Sequence, residues 1–242
     1  YMDYEQKLEK LLAQHTHFVI WGAEHNNKSV LSIGCDNHQG GLIATEHLIS
    51  LGRSAFAFLG DASSHSPEFR DRYLGHVKAL QTAGLPVVAE RQISAISTES
   101  AGYDAAMALI EKRLTFDAIF AASDLIAIGA IRALKEKGIL VPEQVAVVGY
   151  DDIPVASFAN PPLTTIKQNT QLAGEILVES LLKLHGSLLP HNLSSKLRRK
   201  KKRSKAPIVP PNTVYCSNSM RSLPLPYYAI PQRRISPIHD RP

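Results

Sequence analysis

Two carboxylates, Asp151 and Asp152, stand side by side where the apolar run VAVVGY ends, and the segment IPVASFANPPLTTIKQ follows them. Paired carboxylates can hold a metal or divide acid and base roles, but neighbours on an extended segment point to opposite faces and do not easily share one site. Three further places put polar or aromatic side chains at strand ends: Trp21 after FVI, the loop 61–72 after AFAFLG, and Ser123 with Asp124 after AIFAA. In an open parallel sheet, ligands bind beyond the carboxyl ends of the strands, so these are the positions to inspect. Each also has a structural use, since Ser and Asp after a strand make turns and cap helices. No GxSxG nucleophile elbow, no GxxxxGK phosphate loop and no HExxH occurs, and the ten histidines lack ligand spacing. No enzyme chemistry, cofactor or metal is therefore expected.

The elements that must position these residues alternate between short β-rich runs and helical stretches up to about residue 189, which predicts parallel βα units. Strands are expected at 18–21, 30–34, 55–60, 117–122, 145–150 and 163–167, several apolar on both faces, as strands covered by helices on each side must be. Helical stripes run through Ala44, Leu48 and Leu51; Tyr73, Val77 and Leu80; Ala106, Leu109 and Ile110; Ala127, Ala130, Ile131 and Leu134; and Ala173, Ile176, Leu177, Leu181 and Leu184. Gly52, Gly84 and Gly138 fall where a helix C-terminus needs a left-handed residue, and Ser123 or Asp124 can cap the helix after AIFAA.

The 242 residues are 44% hydrophobic, ample for a packed core. No apolar run reaches membrane-spanning length, and the N-terminal YMDYEQKLEKLL is not a secretion signal, which points to the cytoplasm. Cys35 and Cys216 form no CxxC pair and read as reduced, structural thiols. The net charge of +5 is uneven: residues 1–195 carry 15 Lys and Arg against 21 Asp and Glu, while 196–205, KLRRKKKRSK, holds eight basic side chains. From about residue 190 the periodicity stops, and eight of the fifteen prolines lie beyond residue 205, so 190–242 is expected to be a disordered basic tail. Clustered charges of this kind bind phosphates without sequence specificity, but the run carries no folded recognition element, and a solvated tail is the preferred reading.

Residues 30–189 resemble the effector-binding core of the LacI/GalR family of bacterial transcription regulators. The stretches that carry the resemblance are SIGCDNHQGGLIATEHLISLGR, FRDRYLGHVKALQTAGL, FDAIFAASDLIAIGAIRALKEKGILVPEQVAVVGYDD and PPLTTIKQNTQLAGEILVESLL. The resemblance implies an α/β, periplasmic-binding-protein-like fold of two Rossmann-like lobes with parallel sheets: 1–52 plus 167–189 as an incomplete N-terminal lobe, and 53–166 as the C-terminal lobe. It implies a neutral, hydroxyl-rich effector, a mono- or disaccharide, held by Arg72, which matches the family's gripping arginine, and Asp151, which matches the acceptor for sugar hydroxyls. A guanidinium suits the task because its fork of donors satisfies two adjacent oxygens.

This sequence departs from the family's commonest pattern at two of the expected effector residues. Ser123 stands, before Asp124, where the best-known members have Asn, and Trp21 stands where many have Asp. Thr170 replaces an aromatic platform used by some relatives, and the indole of Trp21 can supply that stacking surface instead. Asp152 is expected to be a turn or interdomain residue. A homodimer is implied, through the helix 124–137 and PVASFA. Family members read operator DNA through a helix-turn-helix and hinge helix, which this chain does not show; it begins at a helix that in relatives lies inside the first lobe, and it ends in an atypical tail, as a truncated gene model or a shifted frame would produce. The alternative is a periplasmic-type sugar-binding protein, which shares the fold without the regulatory role.

Overall fold

Among the described residues six strands lie side by side and all parallel, in the order Gln92–Ile93, Phe56–Leu59, Ala118–Ala121, Ala146–Asp151, Thr164–Lys167 and Thr213–Tyr215. The computed structural model describes residues 2–14, 18–22, 31–184 and 213–215. The sheet comprises β3 (Phe56–Leu59), β4 (Gln92–Ile93), β5 (Ala118–Ala121), β6 (Ala146–Asp151), β7 (Thr164–Lys167) and β8 (Thr213–Tyr215), alternating with helices α2 (Asn37–Ser50), α3 (Pro67–Thr82), α4 (Glu99–Glu111) and α5 (Asp124–Glu136). β3 and β5 are buried at every position, which is why their sequences, FAFL and AIFA, show no apolar-polar alternation. Phe58 and Phe120 are register partners, their rings meeting edge-on at 5.4 Å between centroids.

Glycines decide how the helices cross. A Cβ on Gly41 of α2 would stand 2.0 Å from the carbonyl oxygen of Arg72, and one on Gly75 of α3 would stand 2.0 Å from that of His38. The second pair repeats the device: a Cβ on Gly102 of α4 would lie 2.2 Å from Ile126 O, and one on Gly129 of α5 would lie 1.9 Å from Glu99 O. Only hydrogen fits at these contacts, so each helix pair approaches backbone to backbone. Gly52, Gly84 and Gly138 end α2, α3 and α5 with φ of 79°, 68° and 71°, and α4 ends the same way on Arg113, φ 52°.

A separate compact unit contains α1 (Met2–Ala13), the parallel pair β1 (Val19–Trp21) and β2 (Leu31–Ile33), and α6 (Thr170–Leu184), which packs on both strands. The larger unit begins at Asp36, not at residue 53 as the sequence suggests, because α2 packs on α3 through the Gly41–Gly75 crossing and belongs with it. The smaller unit accordingly ends at Cys35 and resumes at Asn169. Two strands escaped the sequence reading: β4 has only two residues, and β8 lies within 190–242, where Thr213–Tyr215 pairs with β7 instead of being disordered. The basic run 196–205, Cys216 and the rest of that segment lie outside the described residues. Among the described residues no helix is long and apolar enough to cross a membrane.

Candidate functional site

Arg72 is the sixth residue of α3 and is 4% exposed. Burying a guanidinium is unfavourable unless its donors are used, and the surroundings use them from several directions. Nε donates to Asn37 Oδ1 at 2.9 Å and Nη1 to the carbonyl of Ala122, at the end of β5, at 2.5 Å. The guanidinium carbon lies 3.6 Å from the centroid of the Tyr150 ring and 5.3 Å from that of Phe69. Nη1 is also 3.5 Å from Asp151 Oδ1. Among the described residues the other terminal nitrogen, Nη2, makes no hydrogen bond.

Asp151 closes β6, with its side chain 29% exposed. Burial pushes its carboxyl above the ordinary aspartate range; the Arg72 guanidinium and the amide of Gln168, which donates to Oδ1 at 2.5 Å, pull it back. Arg72 and Asp151 are thus brought together from positions 79 apart in the chain, one on a helix and one at a strand end, and in direct contact. Asp152 turns elsewhere: its Oδ2 is 2.6 Å from Lys167 Nζ. Asp151 and Asp152 have positive φ, 118° and 57°, so they are not simple extended residues, yet their carboxylates do part company.

Ser123 and Asp124 are placed differently from the expectation. The Ser123 hydroxyl oxygen accepts from Ser97 Oγ at 2.9 Å and from the amide of Ile126 at 3.4 Å, capping α5, and the residue is 1% exposed. Asp124 is wholly buried, Oδ1 accepting from Thr165 Oγ1 and Oδ2 from the amide of Ile153. Burial raises its carboxyl to about 7 in spite of those two donors. Neither side chain presents a surface that a ligand could touch, so their reading as effector contacts is corrected to cap and buried anchor. The remaining expected residues are on the smaller unit. Trp21 ends β1, is 40% exposed and lines an apolar hollow with Leu8, Leu11 and Phe18; Thr170 is the exposed first residue of α6, behind the cap that Asn169 Oδ1 gives to Leu172 N.

Four residues that reasoning from the sequence left aside complete the arrangement: Asn37, Tyr150, Thr165 and Gln168. All lie inside the stretches quoted above, but their roles depend on side chains that meet only when the sheet forms. Among the described residues no group of three or more His, Cys, Asp and Glu could hold a metal ion. A buried, immobilised arginine with one terminal nitrogen to spare, beside a partly exposed carboxylate at a strand end, offers a donor and an acceptor to a neutral polyhydroxy ligand.

The fold and this strand-end pair define a periplasmic-binding-protein-like α/β lobe. Residues 45–213 match the family model described as a periplasmic binding protein-like domain, and the chain belongs to that family, as an effector-binding core of the LacI/GalR type. It is 30% identical over 176 residues to the HTH-type transcriptional repressor PurR of Pasteurella multocida, covering 71% of this chain and 52% of that protein. It is 34% identical over 172 residues to the HTH-type transcriptional regulator AscG of Escherichia coli, covering 70% and 51%. A transcriptional regulator solved as the CelR–cellobiose complex superposes with a TM-score of 0.67 at 28% identity, over 78% of this chain and 65% of that one. The chain spans about half the length of these curated relatives. They are regulators, which favours a regulator over the solute-binding alternative.

Proposed function

We propose that this chain is the effector-sensing portion of a sugar-responsive transcriptional repressor. The observation that carries the reading is the 3.5 Å approach of Arg72 Nη1 to Asp151 Oδ1, with the arginine locked by Asn37, Ala122 and Tyr150. Its spare Nη2 donates to a sugar oxygen, and the Asp151 carboxylate accepts from a sugar hydroxyl. Arg72 needs no reorganisation to act, which lowers the entropic cost of binding. The cellobiose complex of a structural relative supports a carbohydrate as the effector class.

In the intact regulator, effector occupancy shifts the population between two arrangements with different operator affinity, DNA being read by a helix-turn-helix like that named for the curated relatives. We further propose a cytoplasmic homodimer, formed through α5 and PVASF, where Leu125, Val155 and Phe158 are exposed, Phe158 by 84%. Calorimetry with ribose, glucose, sucrose and cellobiose tests the site: at least one binds the native chain, and Arg72→Ala or Asp151→Asn abolishes that binding. Equal binding by Arg72→Ala sinks the assignment.

A further inference from the structure

We propose that Asp124, acting with Thr165, is a positioning residue that holds the Asp151 carboxylate against Arg72 by fastening the backbone immediately after it. The inference rests on the assignment of Arg72 and Asp151 to effector binding. The segment that needs fastening is Asp151–Asp152, whose φ values of 118° and 57° lie in a region that side-chain-bearing residues rarely adopt, so surrounding structure must impose them.

The fasteners converge on one carboxylate. The amide of Ile153 donates to Asp124 Oδ2 at 2.9 Å. The amide of Asp152 donates to Thr165 Oγ1 at 3.4 Å, and that hydroxyl donates in turn to Asp124 Oδ1 at 2.5 Å. Two successive amides beyond Asp151 are therefore tied, one directly and one through a hydroxyl, to a group with no exposure to solvent. Asp124 is itself fixed as the first residue of α5. Room for it comes from Gly149, two residues before Asp151: a Cβ there would stand 2.3 Å from Asp124 Oδ1. Nothing in helix capping requires this arrangement, since Ser123 already caps α5.

The clamp changes with the charge on Asp124. Burial brings this carboxyl to about 7, so it passes from acid to carboxylate across neutral pH. The charged groups around it are Asp151, the last residue of β6, and Asp152 just beyond it, with Lys167 of β7 on Asp152 and Arg72 of α3 beside Asp151. The ionised form accepts from both Thr165 and Ile153. Protonation turns one oxygen into a donor; when it donates to Thr165, the Thr165 hydroxyl proton loses Asp124 as its acceptor and must turn away, and the clamp loosens.

The test compares the native chain with Asp124→Asn, Thr165→Val and Thr165→Ser. In ¹⁵N–¹H spectra without ligand, the amides of Asp152 and Ile153 follow one titration near neutral pH in the native chain, and neither does in Asp124→Asn. In calorimetry with cellobiose and ribose, Thr165→Val lowers affinity about tenfold, as expected for one lost hydrogen bond, and Thr165→Ser restores it. Native affinity in Thr165→Val, or amides that titrate unchanged in Asp124→Asn, overturns the proposal. Should no sugar bind the native chain, the effector assignment fails separately, and the ligand-free titration, read with the Asp151 carboxyl shift in Thr165→Val, decides whether the clamp positions Asp151. Thr165→Val keeps the test available if Asp124→Asn does not fold.

Discussion

The guanidinium carbon of Arg72 sits over the ring of Tyr150, 3.6 Å from its centroid, and both residues are buried. Tyr150 is therefore part of the arginine's seat as well as of the core. Tyr150→Leu is expected to lower stability by about 2–4 kcal/mol, from lost burial and the lost cation–π contact. It should weaken sugar binding through Arg72 beyond what the folded fraction explains. Urea unfolding followed by calorimetry below the unfolding midpoint separates the two effects.

Arg113 repeats at the end of α4 what glycine does elsewhere. Its amide donates to Ile110 O and that of Leu114 to Leu109 O, just as Gly138 and Ile139 bond to Lys135 O and Leu134 O after α5. Arg113 does so at φ 52° and is exposed, so Arg113→Gly should raise stability by about 1 kcal/mol. Arg113→Ala keeps the Cβ and should not. The urea midpoints of the two variants, measured side by side, check this.

The glycine crossing of α2 and α3 carries the site on its back. Gly41 faces the carbonyl of Arg72 itself, so a methyl group there must push α3 away from α2 and pull the guanidinium from Asn37. Gly41→Ala is expected to cost at least about 2 kcal/mol and to lower sugar affinity, whereas the same change at Gly52, with open space around it, is confined to backbone strain at φ 79°. Thermal melts and calorimetry on both variants distinguish packing from local strain.

His76 is buried among Phe56, Phe58, Tyr73 and Phe120, and burial lowers its pKa to about 3. Thr45 gives its hydroxyl proton to Gly41 O, so Nδ1 of His76 must donate to Thr45 Oγ1 at 2.8 Å, which defines the tautomer. Because the unfolded chain binds this proton more readily, His76 makes stability rise with pH from about 3 to 6.5, by on the order of 5 kcal/mol.

Asp124 works in the opposite sense: its raised pKa makes stability greatest below the ordinary aspartate value and erodes it as pH rises through about 7. Between pH 4.5 and 6.5 the two therefore offset one another. Stability should fall with rising pH in His76→Phe and rise more steeply than native in Asp124→Asn. Urea midpoints at pH 4.5 and 6.5 check both slopes.

Much of the fold was legible because its signals are short-range. Apolar runs without alternation marked β3 and β5, glycines marked three helix ends, and the Ser123–Asp124 pair announced the cap of α5, which the structure places on Ser123, each a property of a few adjacent residues. β4, two residues long, is too brief to show a period, and the boundary at residues 35–36 depends on which neighbour α2 packs against. The strand ends of a parallel sheet were the places the sequence marked for inspection, and motif likeness singled out Arg72 and Asp151, which meet at one of them.

By itself, then, the sequence determined most of the strands and helices, though not β4 or β8, their βα order, and the chemical types waiting at the strand ends. Tertiary structure alone decided that Arg72 rests on Tyr150 and Asn37, that Asp151 meets it at 3.5 Å, and that Asp124 is drawn inside to hold the turn. The reason is physical: propensity and periodicity act over a few residues. Whether a polar side chain reaches a ligand or a buried amide is settled by packing between segments many tens of residues apart, here at crossings where only glycine fits.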